Sequence, residues 1–365
     1  VSRFRQIAVE IGSERAARDF RTHAIEFAPS SQRVKLLSAR VFHVDGRVEN
    51  ATGRATAPIS EPWYRLYYDL EAELIELPPL SPGDVVEYLY RVDDTDVPSA
   101  MAGVFGDFVL VSDSLAKRLW RYVLIAPSDM RIEIAAPTLS GVSRTVAEAG
   151  GERVEVFEAK RVDAVSAEPY STGETAGKAY LHASTFRSFD ELGRWYAGLS
   201  RDQAIPDARI REKALSLVRG RAAPLEKVAA IFDWVVTATR YVGLEFGVHG
   251  YKPYRAAQVM SRGFGDCKDK ATLLVALLGA SGIRAEVALV RTRTAGDIAS
   301  SPASLEVFNH AVAYVPSLDL WLDGTAEHHG ARELPFEDQG VIALRMADSG
   351  PILTRTPVAK AIESS

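Results

Sequence analysis

The one cysteine of the chain, Cys267, stands in RGFGDCKDKATLLVALL, between a glycine-punctuated approach and an apolar run. A thiol becomes a nucleophile when its surroundings favour thiolate and a base takes its proton. The local pattern supplies the first condition. Asp266 is a good N-cap residue, so a helix starting there puts Cys267 in its first turn. Unpaired backbone N–H groups and the positive end of the helix dipole favour an anion at that place. The same N–H groups can stabilise the oxyanion of a tetrahedral intermediate. Gly263 and Gly265 permit a tight turn and keep side chains away from the sulfur. Asp266 opposes thiolate formation by its own charge, so a base is required. A lone cysteine is more often a buried structural residue; its place between glycines and charged residues argues against burial here.

Seven histidines are available: His23, His43, His182, His249, His310, His328 and His329. His310 lies in VFNHAVAYV, whose alternation predicts a strand with Phe308, His310, Val312 and Tyr314 on one face. An imidazole on an apolar face needs a partner, which a thiol or a hydrogen bond within the core would supply. Downstream, LDLWLDGTA ends a second strand at Asp323-Gly324. A hairpin of the two strands would bring Asp323 beside His310, to orient the ring as the third member of a triad does. An Asp before Gly is commonly a plain turn residue, so the argument rests on the three residues together. His249, in the glycine-flanked GVHGYKPY, is a candidate for the rim of a cleft or a surface position. Lys268, Asp269 and Lys270 read as a solvated first turn. His328 and His329 lack further ligands at regular spacing, so neither a metal nor a cofactor is expected.

Elements that would position these groups follow from periodicity. From Ala271 to Leu278 the residues are apolar nearly all round, which predicts a buried helix, stopped by Gly282 and followed by a strand over Ala285 to Val290. Ahead of it, Ser188 and Glu191 form a capping box, and further helices are predicted over about 207–219 and 224–240, with Pro224 at a first helical position. The first ~165 residues read as strands. Val34 to Val44 runs into the hairpin signal Asp45-Gly46, and Trp63 to Leu77, Val85 to Val92, Leu119 to Ile125 and Met130 to Ala135 are strand-like. The spacing of turn signals favours a β-sandwich. The small, polar SAEPYSTGETAGKAY, beginning at Ser166, is the linker candidate. The expected class is therefore α+β, a sandwich-like β domain followed by an α+β core.

The chain has 365 residues, enough for two domains, with 47% hydrophobic and 25% charged residues. A formal net charge of -5 gives no electrostatic reason to expect nucleic acid or an anionic membrane as partner. No apolar run reaches the length of a membrane span. One cysteine rules out an internal disulfide and a cysteine-rich metal centre. The start at Val1, without an apolar signal segment, reads as an excised or mature fragment.

The order Cys267, His310, Asp323, with GDCKDKATLLVALL before GIRAEVALV, resembles the transglutaminase-like superfamily of papain-type cysteine enzymes. RYVGLEFGVHGYKPYRAAQVMSRGFGDCKDKA and FNHAVAYV carry the likeness in the second half. SSQRVKLLSARVFHVDGRV and LPPLSPGDVVEYLYRV resemble the β-rich domain of unknown function that precedes this core in a bacterial subgroup. The resemblance implies a β-rich domain over residues 1–170, a transglutaminase-like domain over 171–345 and a tail over 346–365 leading to a further β-rich module. It implies Cys267 as nucleophile, His310 as general base and acid, and Asp323 as orienting carboxylate. An aromatic or amide side chain upstream of the cysteine is implied as second oxyanion donor, with Tyr241 and Trp234 as candidates, though core packing suits Trp234 better. It also points to the periplasm or cell envelope. The implied activity is acyl chemistry on a peptide or protein substrate through a thioester, with water or an amine as acceptor; the alternative is a catalytically inactive binding scaffold.

Overall fold

Alternation of side chains at a period of two organises the first hundred residues. The computed structural model describes residues 1–61, 63, 66–136, 139–166, 173–298 and 302–359. In chain order β1 (Ser2–Glu10), α1 (Glu14–Asp19), β2 (Thr22–Phe27), β3 (Gln32–Phe42), β4 (Val48–Asn50), β5 (Gly53–Glu61), β6 (Leu66–Glu76) and β7 (Val85–Asp94) come first. The Asp45-Gly46 signal is the turn of the β3–β4 hairpin, with Gly46 at a φ of 86°, a left-handed conformation that glycine adopts without strain. One antiparallel sheet has the order β1-β7-β3-β4, and β2 and β5 flank β6 in a second. Ile25 and Ile75 from one sheet and Val41, Val86 and Tyr88 from the other share one buried cluster, the core of a β-sandwich.

β8 (Gly106–Leu110), β9 (Lys117–Pro127), β10 (Glu133–Ala135), β11 (Ser143–Ala149), β12 (Glu152–Val162) and β13 (Tyr180–Ser184) form two three-stranded sheets, β11-β12-β9 and β10-β13-β8. These close over Trp120, Tyr122, Phe157 and Leu181. The β-rich region thus contains two sandwich-like cores. Of the expected linker, residues 167–172 lie outside the described residues.

Helices α2 (Phe189–Ser200), α3 (Ala208–Val218) and α4 (Pro224–Ala238) follow, then β14 (Arg240–Tyr241), β15 (Gly243–Glu245), α5 (Ala256–Arg262), β16 (Phe264–Gly265) and α6 (Cys267–Ala280). Ser188 caps α2 by accepting from the Glu191 N–H; the reciprocal bond from Glu191 goes to the Arg187 N–H, one residue before the cap. Strands β17 (Glu286–Val290), β18 (His310–Val315), β19 (Leu320–Leu322), β20 (Ile342–Ala347) and β21 (Gly350–Arg355) make an antiparallel sheet of order β19-β18-β17-β20-β21. The stretch expected to lead out of the core beyond residue 345 instead supplies β21, which pairs with β20; residues 360–365 lie outside the described residues.

Two compact units result, and they divide the chain differently from the expected segments. One holds Val1–Ala102 with Val242–Tyr251, whose β15 runs parallel to β6. The other holds Gly103–Tyr241 with Lys252–Ser365. Helix α6 is the centre of the second unit: Leu273, Leu274, Leu277 and Leu278 are fully buried among Ile210, Phe232, Val235 and Val315. Burying four leucines contributes roughly 6–12 kcal/mol before chain entropy is subtracted, so the element carrying Cys267 is firmly anchored. Among the described residues no helix is long and apolar enough to cross a membrane.

Candidate active site

Cys267 is the first residue of α6 and is half-buried. Asp266 caps the helix, accepting from the Asp269 N–H at 3.1 Å, while Asp269 accepts from the Asp266 N–H at 3.4 Å. Asp269 also accepts from the Tyr254 N–H at 2.8 Å and from Arg262 at 2.6 Å. Lys268 pairs with Asp266, and Lys270 donates to the Thr239 carbonyl at 2.7 Å. The expectation of a solvated first turn is therefore wrong: Lys268, Asp269 and Lys270 are all buried. Charge type alone predicts solvent, but each of these groups has a fixed partner, the condition under which burial of charge is tolerated. Burial pushes Asp269 up to about 6, with the Asp266 charge adding to it against the pull of Lys268 and Arg262. Burial likewise lowers Lys270, against the nearby Glu327 and Asp323. Gly265 must be glycine, since a Cβ there would stand 2.6 Å from Asp269 Cβ.

His310 opens β18, two residues later than the expected strand face that began at Phe308. The β18–β19 hairpin pairs Ala313 with Leu322. Continuing that register one step brings Asp323 alongside Val312, two residues from His310. His310 Nε2 lies 3.3 Å from Asp323 Oδ1, and the Cys267 side chain is near enough to act on the ring by charge and hydrogen bond. Asp323 is held in turn by the Thr325 N–H and hydroxyl, both at 2.8 Å from Oδ1. Burial alone would lower the His310 pKa; Asp323 and Cys267, by charge and hydrogen bond, overcome it and hold the imidazole well above its ordinary value. For Asp323, burial acts upward, and His310 and Thr325 bring the carboxyl down to about 2.

Two residues near the site carried no sequence signal. Asp338, in the short turn Phe336–Asp338, places Oδ2 3.9 Å from His310 Nε2. Burial raises it to about 7, with Asp323 acting in the same direction and His310 against. Tyr196 of α2 is fully buried with no hydrogen-bond partner for its hydroxyl, and burial together with the charges of Cys267, Asp266 and Asp269 pushes its phenol far up. A cavity of about 380 Å³ opens beside the imidazole, lined by His310, Asp323, Thr325, Glu337 and Asp338, with the exposed His328 and His329 on its rim.

The other candidates are dispersed. Trp234 packs in the helical core, with Lys213 Nζ 5.2 Å from its ring centre, which accounts for it without a catalytic task. Tyr241 pairs with Gly265 across β14 and β16, two residues from Cys267. His249 belongs to the other compact unit, in the turn Gly247–Gly250. Among the described residues, one group of three potential ligands, His310, Asp323 and Asp338, gathers within 4.8 Å. Of these, His310 and Asp323 are paired with each other at 3.3 Å.

Residues 1–166 match the family model described as a domain of unknown function with a solved structure, DUF3857. Residues 211–322 match the Transglutaminase-like superfamily, a span that includes Cys267 and His310 and stops one residue before Asp323. A solved structure from Parabacteroides distasonis, described as a "putative protease", overlays 98% of this chain and 68% of its own with a TM-score of 0.79. The two share 14% sequence identity, so the likeness is one of fold. A "putative cysteine protease" from Cytophaga hutchinsonii covers 61% of this chain and 78% of its own at 12% identity; its TM-score of 0.27 carries no argument. No curated protein matches the sequence significantly. The chain thus carries a transglutaminase-like domain, matched at residues 211–322, preceded at residues 1–166 by a DUF3857 domain.

Proposed function

We propose that the chain is a cysteine enzyme performing acyl chemistry on peptide or protein amides, with Cys267 as nucleophile, His310 as general base and acid, and Asp323 as the carboxylate that orients it. The observation that carries this reading is one half-buried imidazole set between the chain's single thiol and a buried carboxylate 3.3 Å away. With Nε2 engaged by Asp323, Nδ1 is the ring nitrogen left for the thiol. His310 takes the proton of Cys267, and the sulfur adds to the amide carbonyl. The oxyanion is met by first-turn N–H groups of α6, with Tyr241 as a further candidate donor. Collapse breaks the C–N bond, the amine leaves with the proton held by His310, and a thioester remains. Water then gives hydrolysis and an amine gives transfer, according to which reaches the thioester.

The test is alkylation of Cys267 by iodoacetamide in wild type and His310→Ala, followed by mass spectrometry across pH. Rapid labelling at about pH 6 that disappears in the variant supports an activated pair. Slow labelling that rises with pH as for a free thiol, unchanged by the substitution, removes the enzyme reading and leaves an inactive peptide-binding scaffold.

A further inference from the structure

Asp338 has no task in the chemistry just described, yet it is 2% exposed and faces the centre of the site. Its Oδ2 has no hydrogen-bond partner and stands 3.9 Å from His310 Nε2. A carboxylate oxygen of Asp338 also lies within 4.8 Å of one of Asp323. Two buried carboxyls this close oppose each other's ionisation, because like charges buried together are costly, so one of them holds its proton to a higher pH. The main chain of Asp338 is fixed independently, its carbonyl accepting from the Thr356 hydroxyl beyond β21.

Resting on the Cys267–His310 reading above, we propose that Asp338 is a positioning residue: as a carboxylic acid it donates to Asp323 and holds it against His310, and as a carboxylate it sets a second negative charge beside Nε2 and makes His310 retain its proton. The charged and titratable groups facing it are His310 from β18, Asp323 from the end of β19 and Glu337 on its own turn, with Glu327, His328 and His329 on the same cavity. Arg293 approaches from the side, bonded to the neighbouring Gln339 carbonyl at 2.8 Å. With burial and Asp323 pushing Asp338 up to about 7, the change falls across neutral pH. Ionised Asp338 favours the thiolate–imidazolium pair but makes the imidazolium a poorer donor to the departing amine. The residue thus trades attack against expulsion.

Two measurements test this. Histidine-ring NMR in a Cys267→Ala background follows His310 directly and does not depend on catalysis. There, Asp338→Asn is expected to lower the His310 midpoint by about 1–3 units, the effect of removing an opposite charge at this distance. In the cysteine-containing protein, Asp338→Asn keeps an N–H donor to Asp323. Its Cys267 alkylation is expected to match wild type at about pH 6 and to lose the inflection near neutrality, whereas Asp338→Ala slows alkylation at every pH. An unmoved His310 midpoint, or indistinguishable Asn and Ala variants with a native amide spectrum, would overturn the proposal. A midpoint that moves while alkylation ignores His310→Ala would retain the coupling and sink the enzyme reading instead.

Discussion

Replacing Asp338 by Asn should make the second unit more stable above neutral pH, the reverse of the usual result of removing a buried charge. A carboxyl moved from its ordinary 3.8 to about 7 binds a proton in the folded protein over a range where the unfolded chain has lost it. Between those values the unfolded state holds one proton fewer, so stability falls with rising pH by about 1.4 kcal/mol per unit. Asn has no proton to lose. From pH 5 to pH 8 the wild type crosses about two such units before the carboxyl ionises in both states, so the Asn variant should gain about 3 kcal/mol relative to it. Urea unfolding followed by tryptophan fluorescence reads the relevant unit. Trp120, Trp195, Trp234 and Trp321 all lie in it, while Trp63 of the other unit is 93% exposed and changes environment little on unfolding. Comparing the two pH values removes any constant cost of the amide. Curves that stay parallel within about 0.5 kcal/mol would refute the argument, because they would mean that Asp338 ionises alike in folded and unfolded chains.

Gly193→Ala should cost about 1–3 kcal/mol, since the new Cβ would stand 2.4 Å from Pro351 Cβ and force α2 away from β21; thermal melting reads it as a lower midpoint. Asp269→Ala leaves Arg262 without its buried carboxylate and the Tyr254 N–H without its acceptor, a loss of about 3–5 kcal/mol in the same urea assay. Lys270→Met should cost about 1–3 kcal/mol by orphaning the Thr239 carbonyl; no loss would mean that the ammonium is dispensable there.

How much of this was legible in the residues depends on whether the signal was local. The start of α6 was, because Asp266, Cys267 and the apolar run from Ala271 are consecutive, and a cap followed by a buried helix has a recognisable pattern. The β18–β19 hairpin was also within reach, since His310 and Asp323 lie thirteen positions apart and a hairpin is a short-range structure. Asp338 was not. Its turn, PFED, resembles any polar connection, and its approach to His310 depends on the loop between β19 and β20, which no periodicity encodes. The final strands failed to read as core for a related reason. β21 holds only half-buried and exposed residues, as an outer strand does, and only its pairing with β20 shows that it completes the sheet.

The misread charges at α6 change the electrostatic argument for Cys267. Taken alone, Asp266 would cancel part of the positive helix end. In the folded chain Lys268 neutralises Asp266, and Arg262 neutralises Asp269, so the four side chains sum to zero when both carboxyls are ionised. The cap hydrogen bonds remain while their charge is compensated, and the helix end acts on the sulfur without net opposition from its own cap. Burial enforces the arrangement, because an unpaired member of the quartet would be costly in a site this poorly solvated. Asp269, pushed up to about 6, takes up a proton on mild acidification. Its protonation leaves a net positive turn beside Cys267.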